Sequence, residues 1–307
     1  MNLKICFLSI INSQRYLDMF KITLKSFKLY NDFKIDWIIL NDKDYNLHSD
    51  EQINIIQQRL KDVNEDEYIK TAKLANYNCP FNLWVSRLKS LDEIKSKYDI
   101  ICFVDCDLIF INSINNIINN FYNSNFDLLG QRTLAYTIFS DGIINKRNLN
   151  YSKLGIYPYR IGFGLALLHC KNFPNNIWNT YLEKYNEIGE LLLFQEESLI
   201  TLMSKNTCFM DNISIYCSGS FFNSQSFDKY YSIHFSNSYL LSTDRITDFH
   251  KNLTSYYYFE MYYKIAMNID ISENYREHLN KVHDKIKSWN KEDLEIMRKI
   301  CNLPKAI

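Results

Sequence analysis

The chain has 307 residues, of which 35 are Lys or Arg and 35 are Asp or Glu, so the formal net charge is zero. This balance excludes a generally basic nucleic-acid binder and a highly acidic, solvating chain. A chain of this length can bury a large apolar core, so one large domain, or one domain with an appendage, is expected.

Strand-like apolar runs alternate with helical patterns in the first third of the chain. Apolar, β-branched runs predict strands at 4–11, 35–40 and 100–104. Helices are predicted from a cap at Asn12 or Ser13 to about Tyr30, at 50–62 and at 81–97. This alternation is typical of an α/β fold with a largely parallel sheet and helical crossovers.

The rest of the chain continues the mixed pattern and then becomes helical. Strands are predicted at 126–131, 161–170, 207–216 and 231–235. Helices are predicted near 113–122, 175–188 and 195–204, and from about 250 to the end. Residues 136–160 are polar, Tyr-rich and aperiodic, which predicts a long loop.

The cysteines and the start of the chain bear on the cellular compartment. The eight cysteines lack the paired spacing of a zinc site, and several lie in apolar runs, so we expect buried free thiols in a reducing compartment. The first apolar run becomes polar at Asn12, and no later run reaches the ~18 apolar residues that a membrane span needs. We therefore expect a cytoplasmic protein.

Two aspartates follow the strongest strand signal. The run IICFV at 100–104 leads directly into Asp105-Cys106-Asp107. Residues two apart in a strand face the same side, and the carboxyl ends of parallel strands line the crevice where α/β sheets bind ligands. Paired carboxylates suit Mg²⁺ or Mn²⁺, and these ions suit a diphosphate. The alternatives are solvated loop carboxylates or a cap for the helix that starts near Ser113.

The segment YDIICFVDCDLIFINSI resembles the nucleotide-sugar-binding segment of GT-A glycosyltransferases and is most similar to that of the glycogenin and lipopolysaccharide galactosyltransferase group. Three further segments follow in the order that this family has: IGFGLALLHCKNF, FQEESLI and YSIHFSN. The resemblance covers roughly residues 3–240. It implies a GT-A fold, which is a Rossmann-like, mixed and mostly parallel sheet flanked by helices. The catalytic domain would span 1–248 and a C-terminal helical extension 249–307.

The resemblance assigns a metal site to three residues. Asp107 would chelate the metal directly, Asp105 would touch the metal and the ribose, and His234 would be the third ligand. A neutral imidazole suits Mn²⁺ better than Mg²⁺, and a His at a strand end can reach a site on a neighbouring strand. The alternative for His234 is a hydrogen-bonded, half-buried side chain between Ile233 and Phe235.

Four other positions are candidates for contacts with the donor. In similar enzymes a basic residue on the helix before the Asp-x-Asp strand reaches the donor phosphate or sugar, which makes Arg87 a candidate; the alternative is a surface arginine. Gly162 and Gly164 alternate in one strand, which suggests close approach by a ligand, a bulge or a packing requirement. Gln131, at a predicted strand end, is a candidate for binding sugar hydroxyls.

Two glutamates stand where a helix is predicted to begin. The resemblance aligns Glu197, and next to it Glu196, with the family's acidic position at the reaction centre. A carboxylate there would be the general base of an inverting enzyme, or the stabilising group or nucleophile of a retaining one. The resemblance favours retaining chemistry. The alternative is simple charge complementarity to the helix dipole.

The function implied is metal-dependent transfer of a sugar from a nucleotide diphosphate donor, with UDP-sugar expected, to a glycan or lipid-linked acceptor in bacterial surface polysaccharide synthesis.

The amphipathic stretch 273–307 predicts helices that pack on the domain or on a second subunit, or that contact the inner face of the membrane peripherally. Two other functions are compatible with the Asp-x-Asp pattern: a haloacid-dehalogenase-like phosphatase and a non-catalytic nucleotide-sugar-binding protein. No nucleic acid is expected as a partner.

Overall fold

The structure is a computed structural model, and it describes residues 3–60, 81–134, 159–188, 195–216, 229–235 and 253–287. The loop predicted at 136–160 lies almost entirely outside the described residues. The described strands are β1 (Ile5–Ile11), β2 (Ile35–Asn41), β3 (Ile53–Arg59), β4 (Ile100–Val104), β5 (Leu108–Phe110), β6 (Leu128–Leu134), β7 (Tyr159–His169), β8 (Thr207–Phe209), β9 (Ser214–Tyr216) and β10 (Ser232–His234). The described helices are α1 (Gln14–Tyr30), α2 (Phe81–Lys95), α3 (Asn115–Tyr122), α4 (Ile177–Ile188), α5 (Gln195–Met203), α6 (Leu253–Met267) and α7 (Glu273–Lys287).

The chain divides into two compact units, and the first contains the large sheet. Unit 1 comprises Met1–Ile10, Phe33–Val104 and Asn116–Asp211. Its seven strands lie in the order β3-β2-β1-β4-β7-β6-β8. Strand β1 is parallel to β4, β2 to β3, and β6 to β8, whereas β7 is antiparallel to both of its neighbours. The predicted α/β class with a mixed, mostly parallel sheet is confirmed.

The core of unit 1 lies between this sheet and three helices. Every residue of β4 is buried, which explains its unbroken apolar run. Apolar side chains of α2, α4 and α5 join those of the central strands in one cluster, which includes Leu88, Leu91, Phe103, Phe163, Tyr181 and Leu199. Asp92 of α2 accepts hydrogen bonds from the amides of Ile177 and Trp178 at 2.9 and 3.2 Å, so α2 also caps the start of α4.

The helix predicted at 50–62 is wrong, because this segment forms strand β3. All seven of its residues pair in parallel with β2. The side chain of Gln57 accepts hydrogen bonds from Asn41 and from the backbone of Tyr45, and donates one back to the Tyr45 carbonyl. Pairing with a neighbouring strand, supported by these contacts, outweighs a helical pattern in a segment with few apolar residues.

The second unit contains a small sheet and the C-terminal helices. Unit 2 comprises Ile11–Asp32, Asp105–Asn115 and Asn212–Ile307. Its strands lie in the order β5-β10-β9, with β10 antiparallel to β5 and parallel to β9. Helix α1 begins after Ser13, whose hydroxyl accepts a hydrogen bond from the amide of Tyr16.

Helices α6 and α7 are joined by buried polar contacts. The hydroxyls of Tyr262 and Tyr275 lie 3.0 Å apart in the interior. Asp18 of α1 accepts a hydrogen bond from the backbone amide of Ser272, just before α7.

No helix among the described residues combines the length and the apolar character needed to cross a membrane. The division into domains at 248 and 249 stays a prediction.

None of the five cysteines within the described ranges forms a disulfide. Cys6, Cys102, Cys106 and Cys170 are buried, and Cys208 is partly buried. Burial raises the pKa of the Cys170 thiol to about 12. The same cause raises the pKa values of Cys6 and Cys102 well above the usual range. Four of these five cysteines are buried free thiols, as the sequence predicted.

Candidate functional site

The Asp-x-Asp segment forms a turn between two strands. Strand β4 ends at Val104, and β5 begins at Leu108, so Asp105 and Asp107 lie on the connection. The side chain of Asp105 is 35% exposed and that of Asp107 is 15% exposed, whereas Cys106 between them is buried. Both carboxylates can therefore reach a ligand from solvent, while the intervening thiol packs inside.

Antiparallel pairing of β10 with β5 brings His234 to these carboxylates. His234 lies opposite Leu108 in the register, and the next amide, that of Phe235, donates to the Asp107 carbonyl at 2.9 Å. The imidazole Nε2 is 3.0 Å from Asp107 Oδ1 and 3.5 Å from Asp105 Oδ2. One ligand atom from each of the three side chains lies within 4.8 Å of the others. The three predicted metal ligands thus converge on one position within unit 2.

The electrostatics of His234 suit a site that exchanges a proton for a cation. Burial lowers the pKa of its imidazole, but the neighbouring carboxylates of Asp107 and Asp105 raise it more, so that the net pKa lies above the usual value. Without a cation, a protonated imidazole can pair with the two carboxylates. A divalent cation needs neutral imidazole and would take over this pairing. Two carboxylate oxygens and one imidazole nitrogen form a donor set that fits a divalent cation.

A buried ion pair joins Arg87 of α2 to Glu196 at the start of α5. The guanidinium Nη2 is 2.5 Å from Glu196 Oε1, and the two side chains are 3% and 5% exposed. The guanidinium also lies over the ring of Phe163, 4.6 Å from its centroid. The alternative of Arg87 as a surface group is therefore wrong, because α2 presents this arginine to the interior of unit 1.

Glu197 makes a second set of buried contacts with strand β7. Its carboxylate accepts a hydrogen bond from the amide of Phe163 at 2.9 Å and forms an ion pair with Arg160. Further along α5, the hydroxyl of Thr201 accepts a hydrogen bond from the amide of Ile161. Arg160 is not among the site residues predicted from the sequence, although an arginine at the head of an apolar strand indicates that a partner must neutralise it.

The stretch from Gly162 to Gly164 lies at an irregularity of strand pairing. Gln131 of β6 pairs with Gly162, but the preceding Gly130 pairs with Ala166, so the register shifts by several residues of β7. This irregularity is compatible with the bulge that was one interpretation of these glycines. Gln131 Oε1 is buried, and within the described ranges no hydrogen-bond donor reaches it.

Gly130 is a tightly packed position that the sequence reasoning missed. A Cβ added there would lie 2.5 Å from the Cγ2 atom of Ile161 and 3.1 Å from the Cβ of Ala166. A side chain at Gly130 would therefore force Ile161 or the adjoining part of β7 to shift. The chain has only seven glycines, and this scarcity was the signal in the sequence that a glycine such as Gly130 has a structural reason.

The predicted site residues fall into two groups by unit. Asp105, Asp107 and His234 lie in unit 2, and their ligand atoms are together. The other predicted residues all lie in unit 1, and they are Arg87, Gln131, Gly162, Gly164, Glu196 and Glu197. Within unit 1 the two glutamates are adjacent on α5, and each contacts an arginine.

Comparison with solved structures identifies the fold. No protein-family model matches the sequence, and no curated protein matches it either. Galactosyltransferase LgtC, solved in complex with donor and acceptor sugar analogues, has a TM-score of 0.60 and 13% identity, over 89% of this chain and 99% of LgtC. The bifunctional glycosyltransferase WbbM has a TM-score of 0.58 and 10% identity, over 92% of this chain and 52% of WbbM. The glycosyltransferase GlyE of Streptococcus pneumoniae TIGR4 has a TM-score of 0.55 and 11% identity, over 92% of this chain and 64% of GlyE. The chain has the GT-A fold, as the sequence predicted.

Proposed function

We propose that the protein is a metal-dependent glycosyltransferase that transfers a sugar from a nucleotide diphosphate donor to a glycan or lipid-linked acceptor. The observation that carries the proposal is the convergence of Asp105, Asp107 and His234 within 4.8 Å, in a chain with the GT-A fold. A UDP-sugar is the proposed donor, and surface polysaccharide synthesis at the inner face of a bacterial membrane is the proposed setting.

The three side chains would offer two kinds of ligand atom to a cation. Asp107 and Asp105 supply hard carboxylate oxygens, and His234 supplies a nitrogen that favours Mn²⁺ over Mg²⁺. A divalent cation bound there would neutralise the donor diphosphate and stabilise it as a leaving group. Asp105 is the more exposed carboxylate and is proposed to contact the donor ribose as well.

The two glutamates are proposed as the catalytic carboxylates of unit 1. Each forms an ion pair with an arginine of unit 1. An ionised Glu197, with Glu196 beside it, would stabilise positive charge at the anomeric carbon in a retaining reaction. Arg87 is proposed to contact the donor while holding Glu196, and Gln131 with the Gly162–Gly164 stretch to border the sugar.

A nucleotide-binding screen tests the metal site. We expect Mn²⁺ together with UDP or a UDP-sugar to raise the unfolding temperature of the parent protein, and the Asp107→Asn variant to lose this shift. Asp44→Asn is a matched control, because Asp44 is a well-exposed carboxylate paired with Arg59 at the surface of unit 1. An Asp107→Asn variant that binds Mn²⁺ and UDP as well as the parent would show that the metal site is wrong.

A second assay separates an enzyme from a binding protein. Mass spectrometry of the donor and of a panel of acceptors, with Mn²⁺ present, should detect hydrolysis or transfer of the sugar. Binding of UDP-sugar with no hydrolysis or transfer across the panel would favour the non-catalytic alternative. Release of phosphate from simple phosphomonoesters without any nucleotide binding would favour the phosphatase alternative.

A further inference from the structure

Helix α1 contacts the Asp-x-Asp turn through the hydroxyl of one buried threonine. Thr23 is completely buried. Its Oγ1 lies 2.7 Å from the carbonyl oxygen of Cys106 and 2.6 Å from that of Leu108. These two carbonyls flank Asp107 on either side in sequence. The same hydroxyl is 3.2 Å from the carbonyl of Met19 on its own helix, so its two nearest acceptors are the carbonyls on either side of Asp107.

The backbone around Asp107 is therefore held from two directions. The carbonyls of residues 106 and 108 contact the Thr23 hydroxyl of α1, and the carbonyl of Asp107 accepts the amide hydrogen of Phe235, which follows β10. A hydroxyl carries one hydrogen, so Thr23 can donate fully to only one of its two carbonyls at a time. Both carbonyls must stay close to the Thr23 hydroxyl to share its hydrogen. This requirement restricts rotation of the backbone at Asp107.

We propose that Thr23 is a positioning residue of the metal site: its hydroxyl fixes the backbone of Asp107 and so aims the Asp107 carboxylate at the position shared with Asp105 and His234. The inference rests on the proposed function only in requiring that these three side chains bind a divalent cation. Residues behind metal ligands commonly act in this way, because they hold each ligand in the geometry that the cation needs.

Thr23→Val is the sharpest substitution, because valine keeps the shape of threonine and removes the hydroxyl. Thr23→Ser keeps the hydroxyl and removes the methyl group. Ser26→Ala is a matched control on the same face of α1: the Ser26 hydroxyl is buried, donates to the backbone carbonyl of Thr23 at 2.7 Å and accepts the amide of Phe110 at 3.0 Å, but does not contact the carbonyls of Cys106 and Leu108 that flank Asp107. All three changes alter the contact of α1 with the 105–115 segment.

Binding of Mn²⁺ measured by titration calorimetry, with and without saturating UDP, is the readout, alongside the urea midpoint of each variant. We expect Thr23→Val to weaken Mn²⁺ binding about 10- to 100-fold, the range seen when groups behind metal ligands are removed. Thr23→Ser should retain most of the parental affinity. Ser26→Ala should lower the urea midpoint while leaving Mn²⁺ affinity at the parental value. Thr23→Ala, which avoids placing a second methyl group against the carbonyls, replaces Thr23→Val if the latter does not fold.

The outcomes separate this inference from the proposed function. A parent protein that binds no Mn²⁺ in either titration would overturn both. A parent that binds Mn²⁺, with hydroxyl-free variants of equal affinity, would overturn the role of Thr23 and leave the metal site intact. Equal weakening by Thr23→Val and Ser26→Ala would also overturn it, because the loss would then follow stability and not the hydroxyl beside Asp107.

Discussion

The guanidinium of Arg87 lies 2.5 Å from the carboxylate of Glu196, and both side chains are almost completely removed from water. Removing one partner of such a pair leaves an uncompensated buried charge. We expect Arg87→Met to lower the free energy of unfolding by about 3–5 kcal/mol, measured by urea denaturation. The double variant Arg87→Met/Glu196→Gln should recover part of this loss.

The exposed pair of Lys97 and Glu93 provides the control for this buried pair. Their side chains are 54% and 51% exposed, so Lys97→Met should cost less than about 1 kcal/mol. Strict additivity of the Arg87 and Glu196 substitutions would contradict the interpretation, because it would mean that the two groups do not interact energetically.

Glu197 allows a test of catalysis that is separate from donor binding. A glutamine at this position can still accept the amide hydrogen of Phe163, but it leaves the buried Arg160 without its charged partner, so the urea midpoint must be measured beside the turnover of the folded protein. We expect Glu197→Gln to lower the turnover number by about 10²–10⁴-fold, while Mn²⁺-dependent UDP binding stays near the parental value. Glu187→Gln, in an exposed pair with Lys184, should have parental turnover. Full turnover by Glu197→Gln would remove its catalytic role.

Gly130 should not tolerate even a methyl group. Because an added Cβ would lie 2.5 Å from Ile161 Cγ2, we expect Gly130→Ala to lower the free energy of unfolding by about 1–3 kcal/mol. The same substitution should cost less in an Ile161→Ala background, which removes the clashing atom. Equal costs in the two backgrounds, measured by urea denaturation, would show that the clash with Ile161 does not cause the loss.

The buried thiols should make stability fall at alkaline pH. Burial raises the pKa of the Cys170 thiol from its ordinary value of about 9 to about 12. The folded state therefore favours the protonated thiol. Its contribution to stability is fully present below pH 9 and is lost as the pH rises from 9 towards 12. Urea denaturation across this range should show a smaller decline for Cys170→Ala than for the parent. If the stability of the parent and that of Cys170→Ala fell in parallel with rising pH, Cys170 would be excluded as a cause of the fall.

Much of the fold follows from strand patterns that can be read locally. The buried run of β4 and the alternation of strands and helices predicted a largely parallel sheet, and the resemblance to GT-A glycosyltransferases implied that it is mixed. The segment that forms β3 was predicted as a helix, because its stability comes from pairing with β2 and from Gln57, and neither contact is visible in a short window of sequence.

The candidate site was predictable only in part, for a similar reason. The carboxylates of Asp105 and Asp107 stand out at the end of an apolar strand, but the approach of His234 depends on the pairing of two three-residue strands. Arg160 and Thr23 were missed because their roles arise from contacts with residues distant in sequence. For both Arg160 and Thr23, the only local indication of such a role in the sequence was a polar residue within an apolar segment.

Unit 2 is assembled from an early, a middle and a late segment of the chain, and this has a consequence for the order of folding. During synthesis the two aspartates emerge well before His234, so strand β5 cannot pair with β10 until the late segment has been made. Contacts of such large sequence separation form late. A cation that needs all three ligands would therefore stabilise only chains translated past His234, and truncated chains would gain nothing from it.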